Sequence, residues 1–361
     1  MFLLVSCIFL IILTSFLEKF ELGKVINFII VYIIVFAIVG YVEFTPDKGF
    51  YIYWLYNIPE SIELFFKITA DYLVKHGYGF PELQMFFTFV YTFLLLFLIT
   101  RFSEKIFFIS IIYLSTIFIF YVTQLRYFMG YYAICLGLYY LYVKKNYLAT
   151  IIFLAFGIAN HYGLVLFGVI IPFFYIKPDK LIPRLLKVTV TVLLITLVVL
   201  LLGTTSFSQI RFVAYFFSEL QSTFLGGLLT FLPYVSIVYL IYRLHISMMK
   251  KKIQLSEDRK YMFLLIMSVS NIAFIGAALI LQVVGHRMIM TATLFQILYI
   301  FYILKYFEKN EKFRLLAGFG ITIILLYFYL YIFMDLILEK SNNDDIISIL
   351  KSSPILNYFT F

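Results

Sequence analysis

The residues of this chain whose types could do chemistry cluster first between Gln124 and Tyr162. In QLRYFMGYYAICLGLYYLYVKKNYLATIIFLAFGIANHYG, Arg126 opens one apolar run and His161 closes the next, with the basic turn Lys144-Lys145-Asn146 between them. Two helices joined by that turn run antiparallel, so Arg126 and His161 come to the same end. A guanidinium binds phosphate oxygens bidentately and stays charged at any working pH, and an imidazole takes a proton or hydrogen-bonds a hydroxyl. Both groups are costly in apolar helices and usually face a bundle interior or a wet cavity. An arginine snorkelling to the headgroups is the alternative for Arg126.

Other candidates stand at the same level. Gly285-His286-Arg287 opens a late apolar run, and SQIRFVAYFFSELQS sets Arg211, Tyr215 and Glu219 at successive i, i+4 positions. A solvated ion pair is the alternative for Arg211 and Glu219. Asp47 and Glu63 are loop carboxylates that could serve as a base. Three arginines gathered in a poorly hydrated groove would make a pyrophosphate site and stabilise negative charge on a departing phosphate. No metal is expected, because two histidines supply too few ligands and no carboxylate stands at ligand spacing from either. No cofactor is expected either: neither familiar Gly-rich phosphate loop occurs.

The elements that must position these residues follow from composition. The chain is 64% hydrophobic and 13% charged with a mean hydropathy of +1.02, more apolar surface than a soluble fold can bury. The expected fold class is an all-α polytopic transmembrane helix bundle in one domain, residues 1–361, with about twelve spans. The runs are 2–17, 25–42, 83–100, 106–122, 127–143, 147–160, 162–176, 186–203, 225–242, 261–284, 288–304 and 315–338. Those at 147–160 and 162–176 are short enough for a broken or re-entrant pair. The first run lacks the positive flank of a signal peptide and reads as a retained helix. Cys7 and Cys135 lie in apolar runs, which supports neither a disulfide framework nor a thiolate site. Nucleic acid is not an expected partner despite the net charge of +9, since the basic residues are scattered in short loops.

Most of the 28 Lys and Arg fall in one set of alternate loops, beginning with Lys19 and Lys24, Arg101 and Lys105, and Lys144 and Lys145. By the positive-inside rule that set is cytoplasmic, which puts Arg126, His161, Arg211 and Arg287 on the outer side, with both termini. The longest cytoplasmic loop is then 243–260. Two longer loops, 43–82 and 204–224, face outward. In the first, Ser61 is placed to cap an amphipathic interfacial helix with Ile62, Phe65, Phe66, Ile68, Tyr72 and Leu73 on its apolar side and Glu63, Lys67, Asp71 and Lys75 on its polar side. Tyr51, Tyr53 and Tyr56 are candidates for stacking on sugar rings. Gly130, Ala133 and Gly137 form a small-residue stripe that admits a close neighbouring helix and would fix the direction of Arg126.

These residues resemble the EpsG family of Wzy-like polysaccharide polymerases. The likeness rests on Gln124-Leu-Arg126 followed by Gly130 and Ala133, the basic turn, and an apolar helix ending in His161. Asp47 with Tyr51, then Glu63-Leu-Phe-Phe, Gly77 and Phe80, Arg211 with Tyr215, and Arg287 complete it. It spans residues 47–302. Thr45-Pro46 precedes Asp47 where the family usually has Gly-Thr. The resemblance implies a GT-C-like enzyme of the cytoplasmic (inner) membrane that joins undecaprenyl-pyrophosphate-linked oligosaccharide repeat units on its outer face, alongside a flippase and a chain-length regulator. It implies catalytic roles for His161, Arg126 and Asp47, and substrate contacts from Arg287, Arg211, Tyr215, Gln124, Glu63 and His286. A lipid-linked oligosaccharide flippase or other transporter and a membrane-bound O-acyltransferase are the alternative classes. The first would place charges near the midplane in two repeated halves. The second would need an acyl tunnel at His161 but no set of arginines.

Overall fold

The computed structural model describes residues 10, 12–43, 45–60, 62–176, 180–203, 224–250, 257–279, 285–312, 314–322, 348–349 and 352. Among these residues all regular structure is helical. Five helical stretches are long and apolar enough to cross a membrane, Glu21–Gly40, Phe80–Thr100, Ile106–Thr123, Arg259–Ala278 and Arg287–Tyr306, and Tyr147–Asn160, Tyr162–Tyr175 and Tyr234–Met249 are shorter apolar helices. The chain is thus a multi-pass membrane protein. Run 2–17 falls mostly, and run 315–338 largely, outside the described residues. The fold divides into two compact units, residues 1–167 with 327–361, and 168–326.

In the first unit the helices are α1 (Glu21–Gly40), α2 (Lys48–Tyr56), α3 (Leu64–Lys75), α4 (Phe80–Thr100), α5 (Ile106–Thr123), α6 (Leu125–Tyr139) and α7 (Tyr147–Asn160). Every residue of α6 is buried, so it is the axle of the unit. A π-turn, Tyr140–Lys144, ends it, and Lys145 takes the left-handed conformation (φ 53°) that reverses the chain. Asn146 then caps α7, its side chain accepting from the Ala149 N–H. The helices α6 and α7 close on small residues. A Cβ on Gly130 would meet the Gly157 carbonyl oxygen at 2.6 Å, and one on Gly157 would meet the Gly130 oxygen at 2.9 Å. The expected close approach at Gly130 and Gly137 is therefore present, Gly137 seating Leu154 of α7. The helix stops at Asn160, His161 is extended, and a 3-10 segment, Tyr162–Tyr175, follows.

The three basic turns of this unit meet at one end. Lys24 pairs with Glu21 and Glu104, each at 2.7 Å, Lys105 pairs with buried Glu18 at 2.6 Å, and Phe102 packs on Tyr139 beside the Lys144 turn at 5.4 Å between ring centres. At the other end, buried Gln84 of α4 donates to the Val39 and Val42 carbonyls and closes the C-terminus of α1.

The second unit holds α8 (Leu181–Gly203), α9 (Phe224–Lys250), α10 (Arg259–Val269), α11 (Ile275–Ala278) and α12 (Thr293–Ile303). Helix α9 continues eight residues past the run expected to stop at Tyr242, with Arg243 inside it donating to the Tyr239 hydroxyl at 3.3 Å. The basic residues there had read as loop, whereas the helix runs on through Arg243 to Lys250. Irregular helix interrupts the stretch Arg259–Ala278 at Ser270–Phe274, and residues 285–292 are irregular helix leading into α12.

Candidate functional site

The side chains that the sequence singles out in the first unit lie at the end opposite its basic turns. Arg126 occupies the first turn of α6, and its Nη1 pairs with Oε2 of Glu63, the residue before α3. Both partners are buried, with side-chain exposures of 11% and 7%. The guanidinium sits in a box of rings, 4.6 Å from the centre of Trp54, 5.1 Å from Phe66 and 5.7 Å from Tyr51. Burial pushes the Tyr51 hydroxyl pKa above its ordinary value, by more than Arg126 beside it pulls it down. The Arg126 Nε is buried with no hydrogen-bond partner among the described residues.

His161 is half-buried and stands edge-on to Tyr127, ring centres 5.5 Å apart, next in the chain to Arg126. Gly163 leaves its imidazole room: a Cβ there would lie 2.9 Å from the ring carbon Cε1. Gln124, half-buried, is the junction between α5 and α6. Asp47, also half-buried, precedes α2 and carries the chain into the Tyr51 N–H, which donates to its carbonyl. Thus Arg126, Glu63, Gln124, Asp47 and His161 belong to elements gathered at one end of the unit. Among the described residues no three His, Cys, Asp or Glu side chains come together as a metal site.

Several expectations fall differently. Tyr51 is buried against Trp54, Phe66 and Phe80, so it is unavailable for stacking on a sugar, whereas Tyr53 and Tyr56 are exposed. Ile68 and Tyr72 belong to the exposed side of α3, and Phe66, Ala70 and Leu73 to its buried side. The single apolar side expected of this helix is thus divided between a face the protein covers and one it does not. Ser61, Arg211 and Tyr215 lie outside the described residues, as does the side chain of His286. Arg287 is half-buried in the π-turn Gly285–Ile289 of the second unit, where the Thr291 hydroxyl donates to its carbonyl at 2.6 Å.

Sequence reading missed two polar clusters in the second unit. His245, buried in α9, has its Nδ1 2.6 Å from the Tyr261 hydroxyl, which lies 3.1 Å from that of Tyr299. Asp258 caps α10 through the Lys260 and Tyr261 N–H groups, accepts from Tyr302 at 2.6 Å, and has Lys305 3.8 Å away. Burial would raise the Asp258 pKa, but the Tyr302 hydroxyl, the two backbone donors and Lys305 outweigh it and hold the carboxyl below its ordinary value. The signal for the second cluster was Asp258 three residues before the apolar run that begins at Tyr261; His245 gave none, standing in what read as loop.

No family model matches the chain, and no curated protein or solved structure matches it.

Proposed function

We propose that this protein is a membrane glycosyltransferase of the EpsG-like polymerase kind, with about twelve spans and a GT-C-like architecture, working at the outer face of the cytoplasmic membrane. Its substrates are oligosaccharide repeat units carried on undecaprenyl pyrophosphate. The acceptor hydroxyl attacks the anomeric carbon of the donor sugar, the bond from that carbon to the pyrophosphate oxygen breaks, and the lipid pyrophosphate departs with the electron pair. Arg126 stabilises the charge on the leaving group, and His161 orients the hydroxyl or takes its proton, with Asp47 in reserve.

The observation that supports this reading is a permanently charged guanidinium buried at the end of the first unit that also holds His161, Asp47 and Gln124, opposite the basic turns. A buried cation of that kind is expensive unless it serves a ligand or a partner. Arg287, His286, Arg211 and Tyr215 enter the reading from sequence alone.

The product left in cells lacking the protein tests the class. Repeat units accumulating unjoined on the outer face fit a polymerase. Units trapped inside fit a flippase, and full-length polymer lacking an ester fits an acyltransferase. A transporter draws support from the broken helices and buried polar groups of the second unit, and the same assay separates it.

A further inference from the structure

Four features of the Arg126 site do not fit a purely structural ion pair. An arginine that is only a staple tends to meet a carboxylate with two parallel N–H donors. Here Nη1 meets one oxygen of Glu63, and Nε is buried with no partner among the described residues. The guanidinium carbon lies over the rings of Trp54, Phe66 and Tyr51, 4.6, 5.1 and 5.7 Å from their centres, and none of these rings supplies it with an anion. The two partners are also held unequally. Arg126 belongs to a helix buried along its whole length, whereas Glu63 starts a twelve-residue helix whose Leu64, Ile68 and Tyr72 are more than half exposed. Finally, Glu63 stands just before α3, with backbone dihedrals outside the helix (φ −62°, ψ 140°) and no side-chain cap bond to hold its carboxylate there.

We infer that the Glu63 carboxylate is an internal substitute for the diphosphate of the ligand: it occupies Arg126 in the empty protein and must be displaced when a diphosphate binds. This rests on the proposed function for the diphosphate and its carrier; the competition by Glu63 rests on the geometry. A carboxylate and a phosphate offer a guanidinium the same paired acceptor oxygens, and the diphosphate brings more negative charge. Arg126 is compensated by an anion both before and after the exchange, which avoids leaving the buried cation unpaired in a low dielectric. Removing the Glu63 charge therefore removes a competitor and leaves Arg126 in want of an anion.

The chain carries its own reporter, because its single tryptophan, Trp54, stacks on the guanidinium at 4.6 Å. Emission from Trp54 would be followed in the full-length protein in phosphatidylcholine nanodiscs while inorganic pyrophosphate is added, and in a second series with farnesyl diphosphate in the bilayer. The emission should change in a saturable way, and Glu63→Gln should lower the half-saturating concentration at least tenfold. Arg126→Gln should remove the response. A response to both probes assigns recognition to the diphosphate itself; a response to the farnesyl compound alone assigns it to a lipid carrier. Equal affinity in wild type and Glu63→Gln, or no response to either probe, overturns the inference. Should Glu63→Gln fail to fold, Glu63→Asp, which keeps the charge on a shorter arm, should bind more tightly than wild type by a smaller factor, and unchanged binding overturns it equally. Tighter binding by Glu63→Gln in a protein that forms no polymer would sustain the competitor and sink the polymerase reading.

Discussion

Glu63 and Arg126, sixty-three positions apart in the chain, form a buried ion pair that ties the start of α3 to the first turn of α6. Breaking such a pair from one side strands the other charge, which costs about 3–5 kcal/mol. Glu63→Ala and Arg126→Ala should each lower thermal stability in detergent. Combined, they should cost less than the sum of the two, by about 0.5–3 kcal/mol. Additive losses would mean that the two side chains do not act as a unit.

The helix hairpin makes a separate prediction. Gly130→Ala forces a methyl group against the Gly157 carbonyl and the Leu164 side chain, and overpacking of that kind costs about 1–3 kcal/mol. Gly168→Ala, where a Cβ meets nothing within 4 Å, should stay close to wild type. Comparing the two unfolding midpoints checks it; equal midpoints would show that α6 and α7 can separate freely.

How much of this was readable beforehand varied with the physics. Apolar run length places the ends of α4, α5 and α7 within a few residues, because a spanning helix must satisfy its own backbone. The Gly130 and Gly137 stripe likewise announced a close neighbour. Charge said where the turns are, and the contacts of Lys24 with Glu104 and Lys105 with Glu18 join them. What sequence could not supply was partnership. Arg126 and Glu63 each read as candidates, yet nothing local to either shows that they neutralise each other. Tyr51 reads like Tyr53 and Tyr56 until packing buries it. His245 sat among basic residues that look like a loop, and only its contact with Tyr261 reveals a buried helix end.

Asp258 sets a pH dependence. Its carboxyl pKa lies below the ordinary value in the folded protein, so it binds its proton more readily when unfolded. The stability it contributes is fully present above the ordinary carboxylate value, about 3.9, and is lost as pH falls through the folded value. Asp258→Asn keeps a capping side chain but weakens the bonds to Tyr302 and Lys305. It should cost about 0.5–1.5 kcal/mol near neutral pH and flatten this part of the acid limb. A limb of unchanged steepness, measured by thermal scans from neutral to acid pH, would remove Asp258 from the account.

Tyr261 bridges His245 and Tyr299 within the buried end of the second unit. Tyr261→Phe deletes the hydroxyl and leaves a buried imidazole nitrogen unsatisfied, at a cost of about 1–3 kcal/mol. Tyr299→Phe leaves the bond between His245 and Tyr261 intact and should cost less. The order of the two unfolding midpoints is the check, and a reversed order would mean that Tyr261 donates chiefly to Tyr299.

The enzymatic reading meets its most direct test in liposomes carrying the purified protein and a synthetic undecaprenyl-pyrophosphate repeat unit, with products sized on a gel. The account predicts a ladder of lengthening glycan from the wild-type protein, and a rate about 10²-fold lower or worse for Arg126→Ala present at equal amount. No ladder from the wild-type protein, or the same ladder from both, would contradict it.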